Sequence, residues 1–198
     1  LAPGYHRYRW RVLGDGSSAE GGVWVVPRAT PAVVFDVDGT LTTSDGELID
    51  ELLGHSADAF AGAAAVAQRW AELGYLIVYV TGRPTPLRAL TQRWLDLRGF
   101  PYGPLFTPAD LGSAVPTRAG VGAFKRATLQ ALADAGLVFV RAYGNAATDV
   151  CAYAEAGIAP ERTFIVGTPT PCPPHPLPQP LPDYVEHLPD VARQPPAR

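Results

Sequence analysis

The chain has no methionine, one lysine, one asparagine and two cysteines, and each scarcity narrows what it can be. Without methionine even at its first position, it reads as a processed product or a fragment. Its compartment therefore stays open: soluble or peripheral to a membrane, the cytoplasm preferred and export allowed. No apolar run approaches the roughly 18–20 residues that cross a bilayer, which excludes a spanning helix. Acidic residues outnumber basic ones by 19 to 16, and the resulting charge of −3 argues against general nucleic-acid binding. Cys151 falls in an expected helix and Cys172 in proline-rich chain, so the two are expected to stay apart. The scarcity of lysine says more. Lys125 is the one lysine among 16 basic residues, and all the others are arginine. Arginine replaces lysine wherever only positive charge is needed, but a compact, mobile ammonium at a phosphate site is less replaceable. Lys125 and the lone asparagine, Asn145, are therefore functional candidates.

What is present has a clear order. His6 to Val12 alternates, with His6, Tyr8, Trp10 and Val12 on one side and Arg7, Arg9 and Arg11 on the other. A Gly-Asp-Gly-Ser-Ser turn (14–18) and an apolar stretch from Gly22 to Val26 complete an expected hairpin over residues 1–30. From Ala32 to Val166, apolar strands alternate with helices, which predicts an α/β fold: a Rossmann-like parallel sheet covered on both faces. Expected helices cover 58–73, 85–97, 119–135 and 147–156; expected strands cover 32–37, 75–80, 104–107, 137–143 and 163–166. From Thr168 to Pro182 about half the residues are proline, which favours extended polyproline II in a tail. A short edge strand is expected near 184–188.

Ligands of an open parallel sheet bind beyond the carboxyl ends of its strands, and here several elements end in polar groups. The first strand delivers Asp36 and Asp38, two apart, so both can face one site. A carboxylate can attack phosphorus and form an aspartyl-phosphate, while a second one protonates the leaving oxygen and later activates water. Gly39 and Thr40 suit the tight turn that holds the pair. Thr81 can donate to a phosphoryl oxygen, and Lys125 can neutralise developing charge. Mg2+ prefers oxygen ligands, usually one or two carboxylates with waters and phosphate. Asp36, Asp38 through its carbonyl, and Asn145 or Asp149 are the candidate set. Gly39, Thr40, Gly82 and Arg83 are the candidate substrate contacts, with Arg83 equally suited to capping its loop.

The segment Phe-Asp-Val-Asp-Gly-Thr-Leu-Thr (35–42) resembles the first motif of the haloacid dehalogenase superfamily. Thr81, Lys125 and Gly-Asn-Ala-Ala-Thr-Asp (144–149) resemble the second, third and fourth, in the right order, over about residues 32 to 167. An acid at position 38 resembles the superfamily's phosphatases rather than its dehalogenases. Gly74 to Pro84, Phe100 to Pro104 and Tyr143 to Tyr153 are similar to the lipin-type domain, and Ile165 to Gly167 and Tyr184 to Leu188 look most like its transfer-protein branch. That domain occurs in lipin phosphatidate phosphatases and at the C-terminal end of large phosphatidylinositol-transfer proteins. The resemblance implies magnesium-dependent hydrolysis of phosphatidic acid in the first branch and lipid sensing, with a degraded first motif, in the second. Here the first motif is intact, which favours catalysis. The intervals after Thr40 and Thr81 leave no room for a large cap, so the expected site is open and suits a bulky phosphomonoester. Sensing without turnover and hydrolysis of a soluble phosphomonoester remain the alternatives. The arginine stripe offers contact with an anionic membrane; the plainer reading is a flap whose aromatics pack on the core.

Overall fold

A computed structural model describes residues 1–43, 57–108 and 118–197. Strands β1 (Gly4–Arg11) and β2 (Ser18–Val25) form an antiparallel hairpin. Strands β3 (Pro31–Phe35), β4 (Leu76–Val80), β5 (Leu105–Phe106), β6 (Val138–Gly144), β7 (Thr163–Val166) and β8 (Gln179–Leu181) make one parallel sheet in the order β5-β4-β3-β6-β7-β8. Five α-helices accompany them among the described residues: α1 (Ala63–Glu72), α2 (Arg88–Leu97), α3 (Arg118–Asp134), α4 (Ala147–Glu155) and α5 (Tyr184–Ala192). None is long and apolar enough to cross a membrane.

The expected α/β architecture is present, and β3 shows why its sequence reads as an unbroken apolar run. Val33 and Phe35 join one core and Ala32 and Val34 the other, all fully buried. On the first face lie Trp70 of α1, Trp94 of α2 and Tyr184 of α5; on the second lie Leu129 of α3 and Tyr153 of α4. Each large side chain so buried contributes about 1.5–3 kcal/mol. The chain leaves β3 for β4 and β5, then returns past β3 to β6. The strand order therefore reverses beside the carboxyl end of β3, where a parallel sheet opens a crevice.

Four expectations need correction. The first concerns the helix expected from Asp58, which begins at Ala63. Ala59 forms an antiparallel bridge with Thr42, and the Phe60 N–H donates to the Leu41 carbonyl at 2.9 Å, so the preceding chain braces the loop after β3. The second concerns residues 184–188, which are helical rather than a strand. The Asp183 carboxylate accepts from the amides of Val185 and Glu186 and caps α5. The edge strand lies earlier, at Gln179–Leu181, where an outermost position tolerates Pro180. The third is that Cys151 and Cys172 are joined in a disulfide. The chain after β7 folds back over α4, which brings the tail's cysteine to the helix. The fourth concerns the hairpin, whose aromatics do not all pack on the core. Trp24 stacks on Tyr102 and Tyr5 meets it edge-on, whereas Trp10 is 70% and Leu13 94% exposed. The intervals expected to hold no large cap lie partly outside the described residues.

Candidate active site

Asp36 follows β3 directly, and its N–H donates to the Tyr143 carbonyl of β6 at 3.0 Å, extending the sheet's hydrogen bonding to the site. The loop after it turns tightly around one acceptor. The amides of Thr40, Leu41 and Thr42 all donate to the Val37 carbonyl, at 3.3, 2.8 and 3.1 Å. Gly39 has φ of 68°, a left-handed conformation that other side chains resist, and its N–H donates to the Thr42 hydroxyl at 3.0 Å. The turn places the Thr40 hydroxyl 3.1 Å from Asp36 Oδ2 and 3.3 Å from the Asn145 amide oxygen.

Lys125 reaches across from α3. Its Nζ lies 2.6 Å from Asp36 Oδ1 and 2.5 Å from Asp149 Oδ1. The other Asp149 oxygen accepts from the amides of Asn145 and Ala146, at 3.1 and 3.0 Å, in the first turn of α4, where the helix dipole favours an anion. Gly144 permits this approach: a Cβ there would lie 2.6 Å from the Asp149 Cβ. Asp38 is held separately. Its Oδ2 accepts from the Thr81 hydroxyl and its Oδ1 from Arg83 Nε, each at 2.8 Å. Arg83 is almost wholly enclosed and also donates from Nη1 to the Thr91 hydroxyl at 3.3 Å.

All ten singled-out residues thus gather at the end of β3, in two tiers. Asp36, Asp38, Gly82, Lys125 and Asn145 line an open cleft of about 510 Å³. Behind them Thr81 and Arg83 steady Asp38, Asp149 steadies Lys125, and Thr40, on the turn made at Gly39, contacts Asp36. Arg83 turns toward Asp38 rather than into the cleft. The sequence reading gave two contributors no role. Gly144 carries a signal, since it abuts the Asn-Ala-Ala-Thr-Asp segment; Thr170, which lines the cleft from the proline-rich tail, carries none.

The charges do not balance. Three carboxylates, Asp36, Asp38 and Asp149, meet two cations, Lys125 and Arg83. Burial pushes the Asp36 carboxyl up to about 7; Asp149 adds to the rise and Lys125 opposes it. Burial alone would lower the Lys125 ammonium, but Asp149 and Asp36 outweigh it and keep Lys125 charged. No group of three His, Cys, Asp or Glu side chains forms a ready metal cage among the described residues. The surplus negative charge and the oxygen donors of Asp36 and Asn145 nevertheless fit a hard divalent cation completed by water and phosphate.

Solved structures place this architecture among the haloacid-dehalogenase-like phosphatase folds. A putative HAD-like phosphatase from Mesorhizobium loti is 20% identical with a TM-score of 0.59, over 96% of this chain and 92% of that one. The D,D-heptose 1.7-bisphosphate phosphatase of B. bronchiseptica, crystallised with magnesium and phosphate, is 16% identical with a TM-score of 0.51, over 81% and 97%. Within that fold the chain belongs to the family of the PITM 1-3 LNS2 domain, whose model matches residues 33–167. Membrane-associated phosphatidylinositol transfer protein 1 of Rattus norvegicus is 38% identical over 168 residues, 84% of this chain. Protein retinal degeneration B of Drosophila melanogaster is 34% identical over the same share. The chain spans only 13% and 12% of the length of these two relatives.

Proposed function

We propose that this chain is a magnesium-dependent phosphatase that works through an aspartyl-phosphate, with phosphatidic acid or another lipid phosphomonoester as substrate. The observation that carries the reading is a buried carboxylate, Asp36, held between Lys125 and Thr40 at the floor of an open cleft, with Asp38 beside it. Asp36 attacks phosphorus, and the bond from phosphorus to the alcohol oxygen breaks. Asp38, aimed by Thr81 and Arg83, gives its proton to the departing oxygen. It then takes one from the water that attacks the aspartyl-phosphate, which frees inorganic phosphate and restores both carboxyls. Lys125 offsets the charge on the phosphoryl oxygens. Mg2+ would be held by Asp36, Asn145, the Asp38 carbonyl and Asp149, and would supply further positive charge to the phosphoryl group.

Phosphate release from dispersed phosphatidic acid and from small phosphoesters, with and without Mg2+, tests this reading. Release that needs both Mg2+ and Asp36 is the expected result. Vesicle binding with no release from either class would leave a phosphatidic-acid sensor, and release from small esters alone would leave a phosphatase of soluble substrates.

Peripheral contact with an anionic membrane is the second element of the proposal, and the hairpin tip supports it. Trp10, Val12 and Leu13 stand exposed beside Arg7, Arg9 and Arg11, the combination that inserts apolar side chains while arginines meet headgroups. The double change Trp10→Ala with Leu13→Ser should weaken binding to anionic vesicles about tenfold or more, since each buried apolar side chain is worth on the order of 1.5–3 kcal/mol. Co-sedimentation measures it, and unchanged binding retires the hairpin as the contact.

A further inference from the structure

The structure assigns the tail helix α5 a part in the site: Tyr184 is a positioning residue for the loop that carries Asp36 and Asp38. This rests on the phosphatase reading for its consequences in turnover, but not for its geometry. Tyr184 lies beyond residues 33–167, the span the family model matches, yet its hydroxyl donates to the Thr40 carbonyl at 3.0 Å in a fully enclosed setting. Thr40 is the residue whose hydroxyl touches both Asp36 and Asn145. The main-chain side of Thr40 is therefore held by the tail while its side chain faces the reacting carboxylate. One turn along α5, His187 Nε2 lies 2.9 Å from the Tyr143 hydroxyl, which also accepts from Trp70 Nε1 at 2.9 Å. Tyr143 belongs to β6, just before Gly144 and Asn145, and its ring stacks on Phe35 at 4.5 Å. A single short helix thus grips the ends of both strands that build the site, through Tyr184 on one and His187 on the other.

The physical reason is the cost of a buried acceptor. Removing the Tyr184 hydroxyl leaves the Thr40 carbonyl enclosed without that donor, and the loop gains by shifting to find another. Such a shift moves Thr40 away from Asp36 and Asn145, loosening the two oxygens together.

Tyr184→Phe keeps the ring and removes only the hydroxyl. Tyr75→Phe is its control, because Tyr75 also bonds the tail, at the Pro195 carbonyl, at 3.0 Å and away from the site. Amide hydrogen exchange at Thr40, Leu41 and Thr42 in Tyr184→Phe is expected to quicken about tenfold, as loss of one buried hydrogen bond implies. Turnover should lose a similar factor in kcat with KM nearly unchanged, and the Mg2+ concentration giving half-maximal thermal stabilisation should rise. Tyr75→Phe should change none of the three. Equal exchange at residues 40–42 in both variants would overturn the proposal. If the unmodified protein releases no phosphate, the phosphatase reading fails, and exchange still decides the role of Tyr184.

Discussion

Asp36→Asn is expected to abolish turnover and, in the metal-free protein above neutral pH, to raise stability. The loss of the nucleophile should lower kcat by about 10⁴-fold or more, the scale seen when one member of a covalent catalytic unit is removed. The gain in stability follows from the same burial that makes the site. The Asp36 carboxyl ordinarily titrates near 3.8 and is pushed up to about 7 here. Between those two values the folded state binds the proton more tightly than the unfolded chain, so ionising Asp36 works against folding. The penalty is absent below pH 4, grows as pH rises, and is complete above 7. A neutral asparagine escapes it, and the ceiling of the gain is about 4 kcal/mol, the free-energy equivalent of that shift, with the Lys125 attraction already included. Thermal unfolding of both proteins without metal at pH 5 and pH 8 measures the effect. A variant that melts lower than the parent at pH 8 would contradict the electrostatic account. The gap should narrow when Mg2+ is added, because a cation held by Asp36 would offset the cost of its buried charge.

Lys125→Ala should be the most damaging single change to the metal-free fold. Lys125 is almost fully enclosed and serves two carboxylates at once. Its removal leaves Asp36 and Asp149 buried with no cation between them, a loss on the order of 3–5 kcal/mol near pH 8. Protonation of Asp36 relieves part of that loss, so the defect should shrink between pH 8 and pH 5. Lys125→Arg should not restore activity, since a planar guanidinium cannot replace a point charge held at 2.6 and 2.5 Å from two oxygens in an enclosed space. Unfolding midpoints across pH, with phosphate release at saturating Mg2+, test both statements. Parent-like release by the arginine variant would remove Lys125 from the mechanism.

The two variants also show how far local chemistry was legible. Asp36, Asp38, Lys125, Asn145 and Asp149 stand out by residue type, by scarcity and by position at strand or helix ends, and all meet in space. Their division of labour was not legible. Thr81 was expected to donate to a phosphoryl oxygen and Arg83 either to contact substrate or to cap its loop, yet both turn to Asp38, because a carboxylate three residues past the end of β3 needs donors from the neighbouring strand's loop. The helix start at Tyr184 had a readable signal in Asp183 and Glu186, three apart, which the surrounding prolines obscured.

The sequence by itself determined the alternation of strands and helices, the parallel sheet and the carboxylate pair at the end of β3. Those depend on apolar periodicity and on residues close together in the chain. Only the tertiary structure decided that the proline-rich tail folds back, supplies β8 and α5, joins Cys172 to Cys151 and sets Tyr184 against Thr40. Contacts such as these, between residues 21 positions apart in the disulfide and 144 apart at Tyr184 and Thr40, leave no local pattern. They arise because a sheet edge, an exposed helix face and a buried carbonyl must each find a partner, and the returning chain is what reaches them.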